Sequence, residues 1–217
     1  MALGPHEQDV ELVMGRHRLR GILGLPDDPK GIVLFAHGSG SGRLSPRNRF
    51  VARHLQQGRI ATLLIDLLEE CEAEDRRNVF DTSLLARRVR GATDWLTGQS
   101  KTARLRIGYF GASTGTGAAL QAAAEAPGIV DAVVSRGGRP DLAATYLPSV
   151  TAPTLLIVGG NDETVVELNR DALALFNCRK KLVIVPGASH LFEEPGMLEQ
   201  VATLALGWFQ RYLAPSS

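Results

Sequence analysis

Six short, almost unbroken apolar runs set the strongest limit on how this chain can fold. They are Ile32–Ala36, Ala61–Ile65, Leu105–Phe110, Ile129–Val134, Thr154–Val158 and Leu182–Val185. A strand that is apolar on both faces needs cover on both sides, and a mostly parallel sheet has it. Segments with helical spacing fall between these runs: Asn48–Gln57, Ser83–Thr97, Thr116–Ala126, Val165–Phe176 and Gly196–Leu213. Gly58, Gly98 and Pro127-Gly128 follow three of them as stop signals. The alternation predicts an α/β doubly wound architecture. Ahead of it, Val10–Met14 and Leu19–Leu25 flank Gly15 and predict an antiparallel hairpin, closed by the turn Pro26–Pro29.

A chain of 217 residues fits one domain, here 1–217, with a large core. A formal charge of +1 offers no electrostatic basis for nucleic acid or an anionic membrane as partner. Met1–Val10 contains Pro5, His6, Glu7 and Asp9, so no secretory leader is expected, and no run approaches the ~18 apolar residues of a membrane span. The expected location is cytoplasmic. Cys71 and Cys178 lie far apart and match no disulfide or metal pattern, so neither metal nor cofactor is expected. Arg87, Arg88 and Arg90, with acids from Glu69 to Asp75 nearby, read as a solvated helix face and its preceding loop.

In such sheets chemistry collects in loops beyond the carboxyl ends of the strands. One of those loops is Gly111-Ala112-Ser113-Thr114-Gly115, a G-x-S-x-G sequence between a buried strand and a helix. Small residues on either side of Ser113 permit a turn sharp enough to thrust its hydroxyl into the open. Ser113 as a simple helix N-cap is the competing reading. A serine nucleophile needs a base. Only His37 and His190 follow carboxyl ends of expected parallel strands, and His190 stands just before the last helix. The acid that orients the base falls at Asp162, in the loop Gly159–Glu163, which makes the chain order Ser, Asp, His. Glu163 competes with it for that role, and Asp162 could instead cap the following helix. Asp66, Asp131 and Asp141 fit the order or the loop less well. Backbone N–H groups of Ser39, in His37-Gly38-Ser39-Gly40, and of Thr114 are the expected oxyanion donors. His37 itself reads as structural.

Together, the His37–Gly40 loop, the Gly111–Gly115 elbow, the Gly159–Asp162 loop and the Pro186–Phe192 loop resemble the dienelactone-hydrolase-like branch of the α/β-hydrolases. The resemblance spans Ile32 to Leu213 and implies an eight-stranded sheet flanked by helices, with hydrolysis through an acyl-enzyme. Dienelactone hydrolases carry cysteine at the elbow, where this chain has Ser113, so their lactone substrate is not carried over. Cys71, in an acidic loop, reads as an incidental surface cysteine. The short stretch from Ser135 to Pro153 leaves no room for a large cap, and Arg136–Arg139 and Leu67–Phe80 are expected to form the rims of the site.

The expectation is therefore a carboxylesterase acting on small or exposed ester molecules. The same triad acting on thioester, lactone, amide or carbon–carbon bonds is the alternative. A nucleotide-binding module, or a non-catalytic hydrolase-like binding protein, is the alternative of a different class. Against nucleotide binding, Arg43 stands where G-x-G-x-x-G places its last glycine. The oligomeric state is not specified by these features.

Overall fold

The computed structural model describes residues 3–214, so Met1, Ala2 and residues 215–217 lie outside the described part. The strands are β1 (Glu7–Met14), β2 (His17–Gly24), β3 (Ile32–Ala36), β4 (Ala61–Ile65), β5 (Ile107–Ala112), β6 (Val130–Arg136), β7 (Thr154–Gly159) and β8 (Lys180–Val185). They form one sheet in the order β1-β2-β4-β3-β5-β6-β7-β8. The β1–β2 and β2–β4 pairings are antiparallel and all the others parallel. The hairpin turns at Gly15, whose φ of +61° lies in the left-handed region that glycine enters without strain.

The helices are α1 (Pro46–Gln57), α2 (Glu70–Ala73), α3 (Arg76–Phe80), α4 (Thr82–Gly98), α5 (Gly115–Glu125), α6 (Glu163–Leu175) and α7 (Met197–Leu213). Alternate side chains of each central strand enter different cores. Leu34, Tyr109, Val133 and Leu156 pack with Leu85 and Val89 of α4 and Ala118 of α5. Phe35, Phe110, Val134 and Ile157 pack with Val51 of α1 and with Val201 and Phe209 of α7. Cover on both faces is the physical reason these strands carry no polar alternation. At the edge the rule relaxes: β8 exposes Lys180 and Lys181, charges that discourage pairing with another chain. A buried Glu7–Arg49 ion pair at 2.9 Å ties β1 to α1.

Only two short 3₁₀ turns, Pro140–Ala143 and Leu147–Ser149, lie between β6 and β7, so among the described residues no large cap covers the sheet. Two local expectations are corrected. Arg88 is not on a solvated face: it is buried and donates to Glu72 at 2.6 Å. The stretch read as a loop before α4 contains α2 and α3, with a Glu69–Glu72 capping box opening the first. Among the described residues, no helix is long and apolar enough to cross a membrane.

Candidate active site

The elbow forms because glycine alone fits on both sides of Ser113. A Cβ on Gly111 would lie 2.6 Å from Thr116 Cα, and one on Gly115 would lie 2.3 Å from the Ala36 carbonyl oxygen. Ser113 sits at φ +50°, a costly conformation for a residue with a side chain. Three hydrogen bonds hold it there. Its N–H donates to the Arg136 carbonyl at 3.2 Å, and its own carbonyl accepts from Thr116 and Arg139 at 3.1 and 3.0 Å.

The fold brings Ser113, His190 and Asp162 together. His190 Nδ1 is 2.6 Å from Asp162 Oδ2, and His190 Nε2 is 3.3 Å from Ser113 Oγ. A carboxylate only accepts, so the proton is on Nδ1 and Nε2 presents a lone pair to the serine hydroxyl. Asp162 stands at the N-cap of α6 but makes no side-chain cap bond; its carboxylate turns to the imidazole instead. Glu163 starts α6 one residue further on. The other acids weighed from the sequence have different partners. Asp66 pairs with Arg43, Asp131 with Arg106 and the Ile107 amide, and Asp141 with Arg139.

The acid loop and the histidine loop are knitted to each other. Gly160 N–H donates to Val185 at 2.8 Å, Asn161 N–H to Ala188 at 3.0 Å, and the Asn161 side chain to Gly187 at 3.0 Å. The Ser189 amide donates to the Glu194 carboxylate at 3.1 Å, which bends the chain just before His190. These bonds fix the two loops relative to each other, and the Asp162 contact orients the imidazole between them.

On the opposite side lies the His37–Gly40 loop. Leu67 N–H donates to His37 Nε2 at 3.0 Å, so Nδ1 carries the proton and donates to the Gly38 carbonyl at 2.9 Å. Burial holds His37 below the usual histidine range, against the Gly38 hydrogen bond and the Asp66 charge. His37 is thus a neutral strut between the loops after β3 and β4. Gly38 abuts the elbow: an added Cβ would lie 2.9 Å from Ser113 Cβ. The Ser39 N–H donates to Thr114 Oγ1 at 2.9 Å, a partner that the sequence did not suggest. Beside this loop is a cavity of about 240 Å³, bounded by Ser39, Gly40, Leu68, Ala73, Val79 and Leu85. Leu67–Phe80 thus contributes one wall.

The other expected rim is corrected in part. Arg136 is 7% exposed, and its Nη2 reaches Asn48 Oδ1 at 3.4 Å beneath the first turn of α1. A residue ending a strand alternates with its neighbours, so it continues the Ala132–Val134 face into the core rather than facing solvent. Arg139 stays nearer the surface in a two-bond pair with Asp141 at 2.8 and 2.7 Å. Cys71 is exposed. His17, Glu69 and Glu72 approach closely enough to share a cation, but His17 Nδ1 already contacts Glu69 at 3.2 Å and Arg88 already holds Glu72 at 2.6 Å.

Residues 69–216 match the family model described as PETase, PET hydrolase-like. A dienelactone hydrolase from Anabaena variabilis is 59% identical, with a TM-score of 0.93 over 96% of this chain and 99% of that one. An α/β serine hydrolase without lid from Xanthomonas campestris, 18% identical, shares the fold with a TM-score of 0.79 over 99% of each chain. A Mycobacterium tuberculosis protein named as a phosphoribosyl transferase is 57% identical over 207 residues, 95% of this chain and 47% of its own length. The chain therefore spans about half the length of the curated relatives it matches. By sequence and by architecture, this chain belongs to the PET hydrolase-like, dienelactone-hydrolase-like family of the α/β-hydrolases.

Proposed function

We propose that this chain is a serine hydrolase that cleaves carboxylic esters through an acyl-enzyme, with Ser113 as nucleophile, His190 as base and Asp162 as the acid that orients it. The observation that carries the reading is the continuous chain of polar contacts from Asp162 through His190 to Ser113 Oγ, at 2.6 and 3.3 Å. Ser113 Oγ attacks the ester carbonyl while its proton passes to His190 Nε2. The Asp162 carboxylate stabilises the imidazolium that forms. The tetrahedral oxyanion takes hydrogen bonds from the N–H groups of Thr114 and Ser39, each worth about 2.7–4 kcal/mol in such sites. His190 then returns the proton to the leaving alcohol. A water molecule deprotonated by His190 attacks the acyl carbonyl and releases the acid, with the proton restored to Ser113.

The small cavity beside Ser39, walled by Leu68, Val79 and Leu85, suits a compact apolar group on the ester. The transferase name belongs to relatives about twice as long as this chain, and that activity is not carried over to it.

A fluorophosphonate probe tests the assignment directly. We expect a single adduct on Ser113 in the folded protein, and loss of p-nitrophenyl acetate turnover in Ser113→Ala with its unfolding midpoint retained. Turnover that survives the substitution would overturn the nucleophile.

A further inference from the structure

The reaction proposed above needs the Ser39 N–H open toward the reacting carbonyl, yet the structure fills it. Its acceptor is Thr114 Oγ1 at 2.9 Å, the side chain of the residue whose own N–H is the second expected donor. We infer that the Thr114 hydroxyl is a resident stopper of the oxyanion site. It occupies the Ser39 N–H in the resting enzyme and swings away about its Cα–Cβ bond when a substrate carbonyl enters. This inference rests on the serine-hydrolase reading.

One alternative is that Thr114 merely aims the loop. The hydrogen bonds around Gly38 argue against it. The Gly38 carbonyl and the Ser39 N–H belong to one planar trans peptide, so they point in opposite directions. That carbonyl is already fixed by His37 Nδ1 at 2.9 Å and by the Ser41 N–H at 3.2 Å. His37 is fixed in turn by the Leu67 amide. The peptide is therefore held from its far side, and the Ser39 N–H keeps its direction without Thr114. The hydroxyl takes up a donor that it does not position.

Proximity supplies the other half. Gly38 packs against Ser113 so closely that a Cβ would lie 2.9 Å from Ser113 Cβ, and Ser39 follows directly in the chain. Two acceptors cannot occupy the same in-line position on one N–H. Threonine has discrete staggered side-chain positions, and Thr114 is only partly buried beside the exposed Ser39 and Gly40. Rotation to another of these positions is the movement the stopper requires. The net strength of a neutral hydrogen bond corresponds to a factor of about 2–10 in an equilibrium constant. That factor is the expected size of the competition.

The test compares wild type, Thr114→Val and Thr114→Ser in the full chain, with p-nitrophenyl acetate as substrate and phenylboronic acid as oxyanion mimic. Valine keeps the shape and removes the acceptor. We expect its kcat/KM to rise about 2–10-fold and its inhibition constant for the boronic acid to fall by a similar factor. Serine keeps the hydroxyl with freer rotation and should lie between the two. Unchanged values for Thr114→Val would overturn the stopper. A lower kcat in Thr114→Val that Thr114→Ser restores would make the hydroxyl a third oxyanion donor, and would overturn it too. If Thr114→Val does not fold, Thr114→Ala takes its place under the same criteria. Phosphonate labelling of Ser113 in every variant separates the two levels. An unlabelled wild type removes the serine-hydrolase reading and the stopper together, whereas full labelling with no gain in Thr114→Val removes the stopper alone.

Discussion

His190 Nδ1 lies 2.6 Å from Asp162 Oδ2, although 28 residues separate them along the chain. That contact selects one imidazole tautomer and leaves Nε2 facing Ser113. It also separates Asp162 from its neighbour Glu163, which begins α6. Asp162→Asn should cut kcat by a factor on the order of 10⁴, because an amide can hold the wrong tautomer. Glu163→Gln should leave kcat within about twofold, as surface changes away from such contacts are small. Steady-state kinetics of the two variants on one ester decide the matter, and a reversed order would move the acid to Glu163.

Gly38 and Ser39 should respond very unequally to alanine. A Cβ on Gly38 would meet Ser113 Cβ at 2.9 Å and the Ala112 carbonyl at 3.0 Å, so the loop must retreat from the elbow. Loss of one backbone donor predicts a kcat about 10²–10³ times lower, and the steric conflict a stability cost of ~1–3 kcal/mol. Ser39→Ala keeps its N–H, so kcat should change far less. Equal losses in the two variants would mean that the Ser39 side chain, rather than the backbone, does the work.

His37 predicts a specific acid sensitivity. Burial holds its folded value below the usual one, whereas the unfolded chain protonates near pH ~6.5. The unfolded state therefore binds more protons just below that pH. The stability contribution is full above about pH 6.5 and is lost as pH falls toward the folded value. Urea midpoints at pH 7.5 and pH 5 should fall further in wild type than in His37→Gln, which starts less stable. Parallel losses would place the acid sensitivity elsewhere.

Arg136 is a buried cation with Nε and Nη1 lacking partners among the described residues. Burial, reinforced by the like charge of Arg47, pushes it down to about 10. The charged form is disfavoured in the fold, so the cost is present at neutral pH and disappears only above the unfolded value. Arg136→Met keeps most of the volume and should stabilise the protein by ~1–3 kcal/mol, read as a higher urea midpoint. A loss of that size would mean that the guanidinium is satisfied in solution.

Much of this architecture is legible locally. Ile32–Ala36 and Ala61–Ile65 begin and end as strands where their apolar runs do, because a strand covered on both faces writes its burial into consecutive residues. The elbow is legible for the same kind of reason: Gly111 and Gly115 answer clashes within their own turn and with the adjacent strand. The short helices α2 and α3 are not legible. Four and five residues carry too little periodicity, and long-range ties such as Arg88–Glu72 help hold α2 in place.

Sequence alone determined the residue types available for chemistry and the strand ends on which they stand. Tertiary structure alone decided which of them meet. Only the order of β5, β6, β7 and β8 in the sheet brings Ser113, Asp162 and His190 within hydrogen-bonding reach. Only the parallel pairing of β3 with β5 sets Ser39 against Thr114, 75 residues away. The same packing turned Arg136 from an expected rim into the core. Local sequence encodes periodicity and turn sterics, whereas the distance between remote side chains is fixed by the register and twist of the sheet that carries them.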